Sequence, residues 1–416
     1  MPLMPDGWQS DLLPRLTDLY QDLHRHPELA FQERRTAAKA AELLTGAGYD
    51  VTTGVGGTGV VGVLDNGPGS TVMLRADMDA LPLREETGLP YASAVYAQGE
   101  NGERVPVMHA CGHDMHTTCL AGAAIVLSRS RDTWSGTLLV VFQPAEERTG
   151  GADAMIEDGL FERFPRPAVV LGQHVGPLPA GMVGFREGTV MAAADAANVR
   201  LFGRGGHGSR PESTIDPIVT AAATVLRLQG IVAREVSPQE AAVVTVGRLQ
   251  AGTQENIIPD TAELGITVRS YNEATRSQLK AAVERVVRGE ALAGGAPKEP
   301  EITWHASAPV LVSDPDATRA VIADLTGHFG AQRLLPLPLV NGSEDVGRFG
   351  EAAGVPTVFW LWGGLDADTV LTALAEGRHD ELPSNHSPLF APLIEPTLST
   401  GVEALTVAAL GRFAAL

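Results

Sequence analysis

Cysteine is nearly absent from this chain: 416 residues carry two, Cys111 and Cys119. Two thiols cannot build a disulfide framework, and a bridge between them would consume a thiol with a better use, set out below. Long apolar runs are missing too. No stretch reaches the roughly 18 residues of a membrane-spanning helix. The first residues place Pro5 and Asp6 where a secretory signal needs a basic start and an apolar run. Basic residues are in deficit, 31 Lys and Arg against 50 Asp and Glu, for a formal charge of −19. So acidic a chain repels phosphate backbones and anionic lipid, which argues against nucleic acid or a membrane as partner. Internal repeats, low-complexity tracts and heptads are also lacking. A cytoplasmic globular protein is the expectation that remains. Its 44% apolar residues can fill the cores of two or three domains at roughly 100–200 residues each.

What is present alternates. The spacing predicts a helix from about Leu12 to Tyr49, punctuated by Gly46 and Gly48. Strands follow at Val60–Leu64, Val72–Leu74, Thr137–Phe142 and Val169–Gln173, with helices at Cys119–Ser128 and Ala152–Asp158. This alternation predicts an α/β fold, a sheet layered by helices. Between about Ala192 and His305 the rhythm changes to strand, helix, strand, strand, helix, strand. Pro217 stands in the first turn of its first helix. That order belongs to a small ferredoxin-like α+β domain. It is inserted into the larger one, which resumes with a helix at Asp316–Phe329 and a strand at Thr357–Trp362. The expected division is 1–191 with 306–416, and 192–305.

The chemistry concentrates in short polar clusters. The densest is His109-Ala-Cys111-Gly112-His113-Asp-Met-His116. Taken alone, a cysteine is usually a small buried hydrophobe and a histidine a hydrogen-bonded structural residue. Three imidazoles and a thiol together match the mixed N and S donors that metals prefer. Gly112 permits a close approach or an unusual backbone angle. Glu146 and Glu147 follow an apolar strand, in Phe-Gln-Pro-Ala-Glu-Glu. Neighbouring side chains there point in different directions, so one carboxylate can ligate a metal while the other faces a bound water. A solvated acidic loop is the plainer reading of that pair, weakened by its place at a strand end, where α/β sites collect. His174, in Gly-Gln-His-Val, and His386, in Ser-Asn-His-Ser-Pro, are weak singly. With Cys111, His113 and Glu147 they make five donors, enough for two metals sharing a bridge. A nucleophilic Cys111 is the competing reading, but it leaves the acid pair and the remote histidines unexplained.

In this order, the motifs resemble the aminoacylase-like metallopeptidase family, in its branch of hippurate hydrolases, N-acyl-amino-acid amidohydrolases and indole-acetyl-amino-acid hydrolases. The resemblance runs from Leu23-His-Arg-His-Pro-Glu-Leu through Leu74-Arg-Ala-Asp-Met-Asp-Ala-Leu-Pro, the metal cluster and the acid pair. It continues in Gly205-Gly-His-Gly-Ser, Asn256-Ile-Ile-Pro-Asp, Ser343-Glu-Asp-Val and the motif around His386. It implies a catalytic domain built from both chain ends, with a mixed sheet flanked by helices, and an inserted lid that often dimerises, so a homodimer or higher homo-oligomer. It implies two divalent ions per subunit (Zn, Mn, Co or Ni), with Cys111 as bridging thiolate and His113, Glu147, His174 and His386 as the other ligands. Glu146 resembles the general base. Asp79 resembles the acid that orients a ligand histidine, and His207 the lid histidine that reaches a catalytic cleft. Asn256 and Arg269 resemble contacts to a substrate carboxylate, for which an arginine fork is suited. The implied reaction is hydrolysis of a small N-acyl amino acid at its amide bond.

Departures fall away from the proposed ligands. Glu212 stands where relatives have His, Val346 where they have Phe, and Leu-Phe-Ala-Pro follows the last motif. A longer linker, Ala94 to Pro106, precedes the metal cluster. They bear on the substrate pocket. Two other functions fit the same residues: a dipeptidase or aminopeptidase, and an inactive metal-binding protein that leaves Glu146 without a role. Arg269 also has a plainer reading, a surface residue paired with Glu263.

Overall fold

The computed structural model describes residue 4 and residues 7–99 and 101–415. One compact unit takes in the chain up to Val190, Val312–Pro338 and the chain from Asp345; a smaller one takes in Met191–Leu311 and Leu339–Glu344.

The larger unit holds a mixed sheet of eight strands. Their order is Asp50–Val55, Gly59–Asp65, Thr137–Gln143, Thr71–Asp77, Val169–Pro179, Thr357–Leu365, Val183–Phe185, Leu334–Pro336. The four strands from Thr137–Gln143 to Thr357–Leu365 are parallel neighbours. Gly59–Asp65 and Asp50–Val55 add on antiparallel. Residues 138–142 and 169–171 are apolar without alternation and fully buried, as parallel strands covered on both faces must be. The helices His113–Arg129 and Thr397–Ala415 pack on each other and are buried along most of their length. Small residues permit this: a Cβ on Gly122 would stand 2.7 Å from Val402 Cγ2.

The single helix expected from Leu12 to Tyr49 is in fact two, Trp8–Arg25 and Arg34–Gly46. Pro27 is the cause. A residue before proline is pushed out of the α region, and His26 sits at φ −129°, ψ 54°. The chain turns through Phe31, at φ 61°, before the second helix starts.

In the smaller unit four antiparallel strands lie in the order Ala242–Ala251, Thr261–Ser270, Ala193–Phe202, Glu301–Ala308. The helices Pro217–Glu235 and Glu273–Ala293 share a core with them. Chain order and spatial order together are ferredoxin-like. Pro217 opens its helix behind Asp216, whose side chain caps Ile218 N–H. Among the described residues no helix is long and apolar enough to cross a membrane.

His24 ties the first helix to the His113–Arg129 helix. Its Nδ1 lies 2.6 Å from Asp114 Oδ2 and its Nε2 3.1 Å from Glu85 Oε1. The rings of Tyr20 and Tyr91 pack against it, and nearby His109 is held neutral by burial, at about 4. Burial alone would lower His24, but Asp114 and then Glu85 outweigh it and raise the imidazole to about 9. That value lies above an unfolded histidine's roughly 6.5. The pairing therefore stabilises the fold fully below about pH 6.5 and fades as pH rises through about 9. His24→Gln should cost on the order of 3 kcal/mol near pH 6, from the size of the shift, and much less near pH 10. Thermal midpoints of both proteins at the two pH values check this; an equal loss at both contradicts a charged His24.

Candidate metal centre

Three neighbouring parallel strands deliver side chains to one place beyond their C-terminal ends, where α/β sheets put their sites. Thr71–Asp77 runs on to Asp79, Thr137–Gln143 runs on to Glu146 and Glu147, and Val169–Pro179 carries His174. The turn before the His113–Arg129 helix brings Cys111 and His113. Gly112 holds that turn at φ 85°, and a Cβ there would stand 2.4 Å from Val175 Cγ1. Only glycine lets this segment lie so near the strand. A loop at 384–387 completes the set. His386 N–H donates to Ala110 O at 2.8 Å, and Asn385 Nδ2 donates to Cys111 O at 3.1 Å and to Val175 O at 3.0 Å.

Cys111, His113 and Glu147 present donor atoms within 4.8 Å of one another. His174 Nε2 lies 3.4 Å from Cys111 Sγ, and His386 Nε2 lies 3.2 Å from Glu147 Oε1. Glu146 Oε2 is 3.9 Å from His113 Nε2. Outer partners orient the rings. Asp79 Oδ1 takes His113 Nδ1 at 3.2 Å, and Val175 O takes the Nδ1–H of His174 at 2.8 Å, so each ring presents Nε2 to the cluster.

The cluster is built for a cation. His113 Nε2 is buried without a hydrogen bond. Burial alone would lower His113, but Asp77 and Asp79 override it and raise the ring to about 10, so positive charge is favoured there. Burial, then the carboxylates of Glu147 and Glu146, push the Cys111 thiol well above its ordinary value. A nucleophilic cysteine needs the opposite shift. A thiolate at this position calls for a bound cation, and S, N and O donors together suit a borderline metal such as zinc.

His116, also near, is occupied elsewhere. Its Nδ1 binds Asp77 and its Nε2 accepts Val175 N–H at 2.9 Å, which leaves no lone pair for a metal. Asp77 in turn answers to Arg75, which the sequence showed only inside a motif. Arg75 is buried and reaches Asp77 Oδ2 at 2.9 Å, Gln143 Oε1 at 2.8 Å and Asp345 Oδ1 at 3.0 Å. Asn385 was likewise visible only as part of the motif around His386.

The remaining expected residues lie in the smaller unit. Gly206–His207 pairs with Ile257–Ile258, and Gly208 N–H donates to Asn256 O at 2.8 Å, so His207 and Asn256 are neighbours. Ser209 N–H donates to His207 Nδ1 at 3.1 Å. The neutral ring therefore carries its proton on Nε2, and the side chain is exposed. Arg269 donates to Asn341 O at 2.8 Å, and not to Glu263, which faces Arg248 at 3.8 Å. Of the departures, Glu212 is exposed beside Arg210. Val346 is fully buried, where a Cβ on Gly172 would meet it at 3.1 Å, so it is a core residue. The linker forms a hairpin of Tyr96–Gln98 with Arg104–Pro106; its Glu100 lies outside the described residues.

The profile of peptidase family M20/M25/M40 matches residues 73–381. The chain is 41% identical over 353 residues to a hippurate hydrolase from Campylobacter jejuni, covering 82% of this chain and 88% of that protein. It is 40% identical over 280 residues to an N-acyl-L-amino acid amidohydrolase from Geobacillus stearothermophilus, covering 67% of this chain and 72% of that protein. The crystal structure of the YXEP protein of Bacillus subtilis, described as a dinuclear metal-binding peptidase, is similar with a TM-score of 0.76 and 30% identity, over 98% of this chain and 100% of that one. With the profile spanning most of its length and these relatives covering two thirds or more of it, the chain belongs to peptidase family M20/M25/M40.

Proposed function

We propose that this chain is a metal-dependent amidohydrolase that splits N-acyl amino acids into a carboxylic acid and a free amino acid. The acid pair carries the reading: Glu147 shares a cluster with Cys111 and His113, while Glu146 stands beside it, 3.9 Å from His113 Nε2. The names of the hippurate hydrolase and N-acyl-amino-acid amidohydrolase relatives support the substrate class.

In this reading Cys111, His113, Glu147, His174 and His386 would hold two divalent ions per subunit, Zn, Mn, Co or Ni. Such ions lower the pKa of water and polarise a carbonyl. Glu146 takes the proton of the attacking water and returns it to the leaving amine. Asp79 keeps His113 aimed inward. His207 offers its Nε2–H to the substrate oxygen as negative charge develops there. Arg269, with Asn256, takes the substrate carboxylate, because a guanidinium fork binds both oxygens. Two buried free thiols fit a reducing cytoplasm.

The chain up to Val190, with Val312–Pro338 and the chain from Asp345, would act as the catalytic domain, and Met191–Leu311 with Leu339–Glu344, rather than 192–305 alone, as a lid that dimerises. Ala242–Ala251 is an edge strand with Val243 and Leu249 exposed, and Val219 and Leu226 are exposed on the Pro217–Glu235 helix. An unpaired apolar edge invites a second copy. Sedimentation should give a dimer, and Val219→Lys with Leu226→Lys should shift it toward one chain; a wild type that sediments as a monomer refutes this part.

A substrate panel tests the reaction. Chelator-treated protein should be inactive and should regain hydrolysis of N-acyl amino acids with one of the four metals. A charge-assisted bond to the substrate carboxylate is worth about 1.5–3 kcal/mol, or roughly 10–150-fold. Amidating that carboxylate should therefore cost at least about tenfold in kcat/KM. Arg269→Ala should cost a similar factor on the acid and little more on the amide. Equal rates on acid and amide remove carboxylate recognition. Faster cleavage of the matching dipeptide replaces the reading with a dipeptidase.

A further inference from the structure

Glu33 is the residue before the Arg34–Gly46 helix, the position from which a short polar side chain such as Asp or Ser caps the first N–H groups. It does not do so. Glu28 takes that task, accepting from Arg35 N–H at 2.9 Å and Thr36 N–H at 2.8 Å. The Glu33 carboxylate turns inward instead and is fully buried. Its Oε1 accepts from Phe31 N–H and from Ala145 N–H, each at 2.9 Å, and its Oε2 accepts from the Thr58 hydroxyl.

Both amide donors belong to strained residues. Phe31 stands at φ 61° and Ala145 at φ 50°, the left-handed region that side chains other than glycine rarely occupy. Ala145 immediately precedes the acid pair. The next two N–H groups, of Glu146 and Glu147, both go to Asp79, at 3.1 and 3.0 Å. Three consecutive amides of one turn are thus held by two buried carboxylates from distant parts of the chain.

We propose that Glu33 is a positioning residue for the acid pair: its carboxylate oxygen holds Ala145 in the left-handed conformation that directs Glu147 toward Cys111 and His113 and leaves Glu146 beside them. This rests on the roles proposed above for Glu146 and Glu147. Burial raises Glu33 to about 7, and Asp79 adds to the rise. A neutral side chain is therefore tolerable at this site, and an acceptor in the right place is what the turn requires. Glutamine can supply it, keeping Oε1 for the two amides and donating its NH2 to the Thr58 hydroxyl; alanine cannot.

The test is a Co2+ titration of the metal-free protein, read by its visible spectrum, together with kcat and KM of the reloaded enzyme. Glu33→Ala should fold, bind Co2+ at least about tenfold more weakly with an altered spectrum, and lose at least about tenfold in kcat, as loss of outer support to a metal site does. Glu33→Gln should match the wild type in both. If Glu33→Ala does not fold, Glu33→Asp, one methylene short of Ala145, is judged on the same readouts. A wild-type spectrum, affinity and kcat in Glu33→Ala overturn the inference. So does a Glu33→Gln variant as impaired as Glu33→Ala. Glu147→Ala separates this from the underlying reading. If it too leaves Co2+ binding untouched, the role of Glu147 as ligand fails; if it weakens binding while Glu33→Ala does not, only the role of Glu33 fails.

Discussion

Both oxygens of Asp79 are committed, and the arrangement of the centre depends on how. Oδ1 meets His113 Nδ1 at 3.2 Å and accepts Glu146 N–H at 3.1 Å, while Oδ2 accepts Glu147 N–H at 3.0 Å. One side chain therefore aims a histidine donor and also holds the turn that carries both acids. Burial raises the Asp79 carboxyl above its ordinary value, and His113 offsets part of that rise while Glu147 and Asp77 add to it, so the contact with His113 is what favours its ionised form. Without this link, the loop after Thr137–Gln143 and the helix start at His113 would have no common reference, and Glu146 could not stand at a set distance from His113 Nε2.

The surrounding structure is stiff where the centre needs it. Arg75 joins the ends of two parallel strands by binding Asp77 and Gln143, and it fastens Asp345 to the same point. Removing one partner of a buried pair typically costs about 3–5 kcal/mol, whereas exposed pairs such as Arg210–Glu212 contribute about 0–1 kcal/mol. Rigidity near the site thus comes from the buried network and not from the many surface ion pairs. Asn385 binds the carbonyls of Cys111 and Val175, which brings the C-terminal loop and its His386 to residues more than two hundred positions away.

The donors were legible because metal ligation demands particular side chains. Thiol, imidazole and carboxylate in short polar clusters announce themselves, and the candidate donors Cys111, His113, Glu147, His174 and His386 lie together. The strands were legible because parallel strands buried on both faces leave apolar runs such as 138–142. What sequence concealed was partnership. Nothing in the row of histidines tells that His116 has both nitrogens engaged, since its partners are Asp77 and a backbone amide of a distant strand. Arg269 invited pairing with Glu263 on its own strand, yet it binds the carbonyl of Asn341, far along the chain. The expected helix from Leu12 to Tyr49 ran through Pro27 because its flanks are periodic; the local rule for proline outweighs that periodicity. Val346 looked like a pocket residue, but it fills space beside Gly172, a contact between segments that sequence order separates.

In the proposed reaction two adjacent carboxylates divide the labour, Glu147 holding metal and Glu146 moving the proton. Glu146→Gln tests this division most directly, by metal analysis and steady-state hydrolysis of an N-acyl amino acid on the same preparation. Two divalent ions per chain, as in the wild type, are expected, with a loss in kcat of about 10²–10⁴-fold, the range of a general base. Loss of metal with the substitution, or turnover near that of the wild type, would contradict that division.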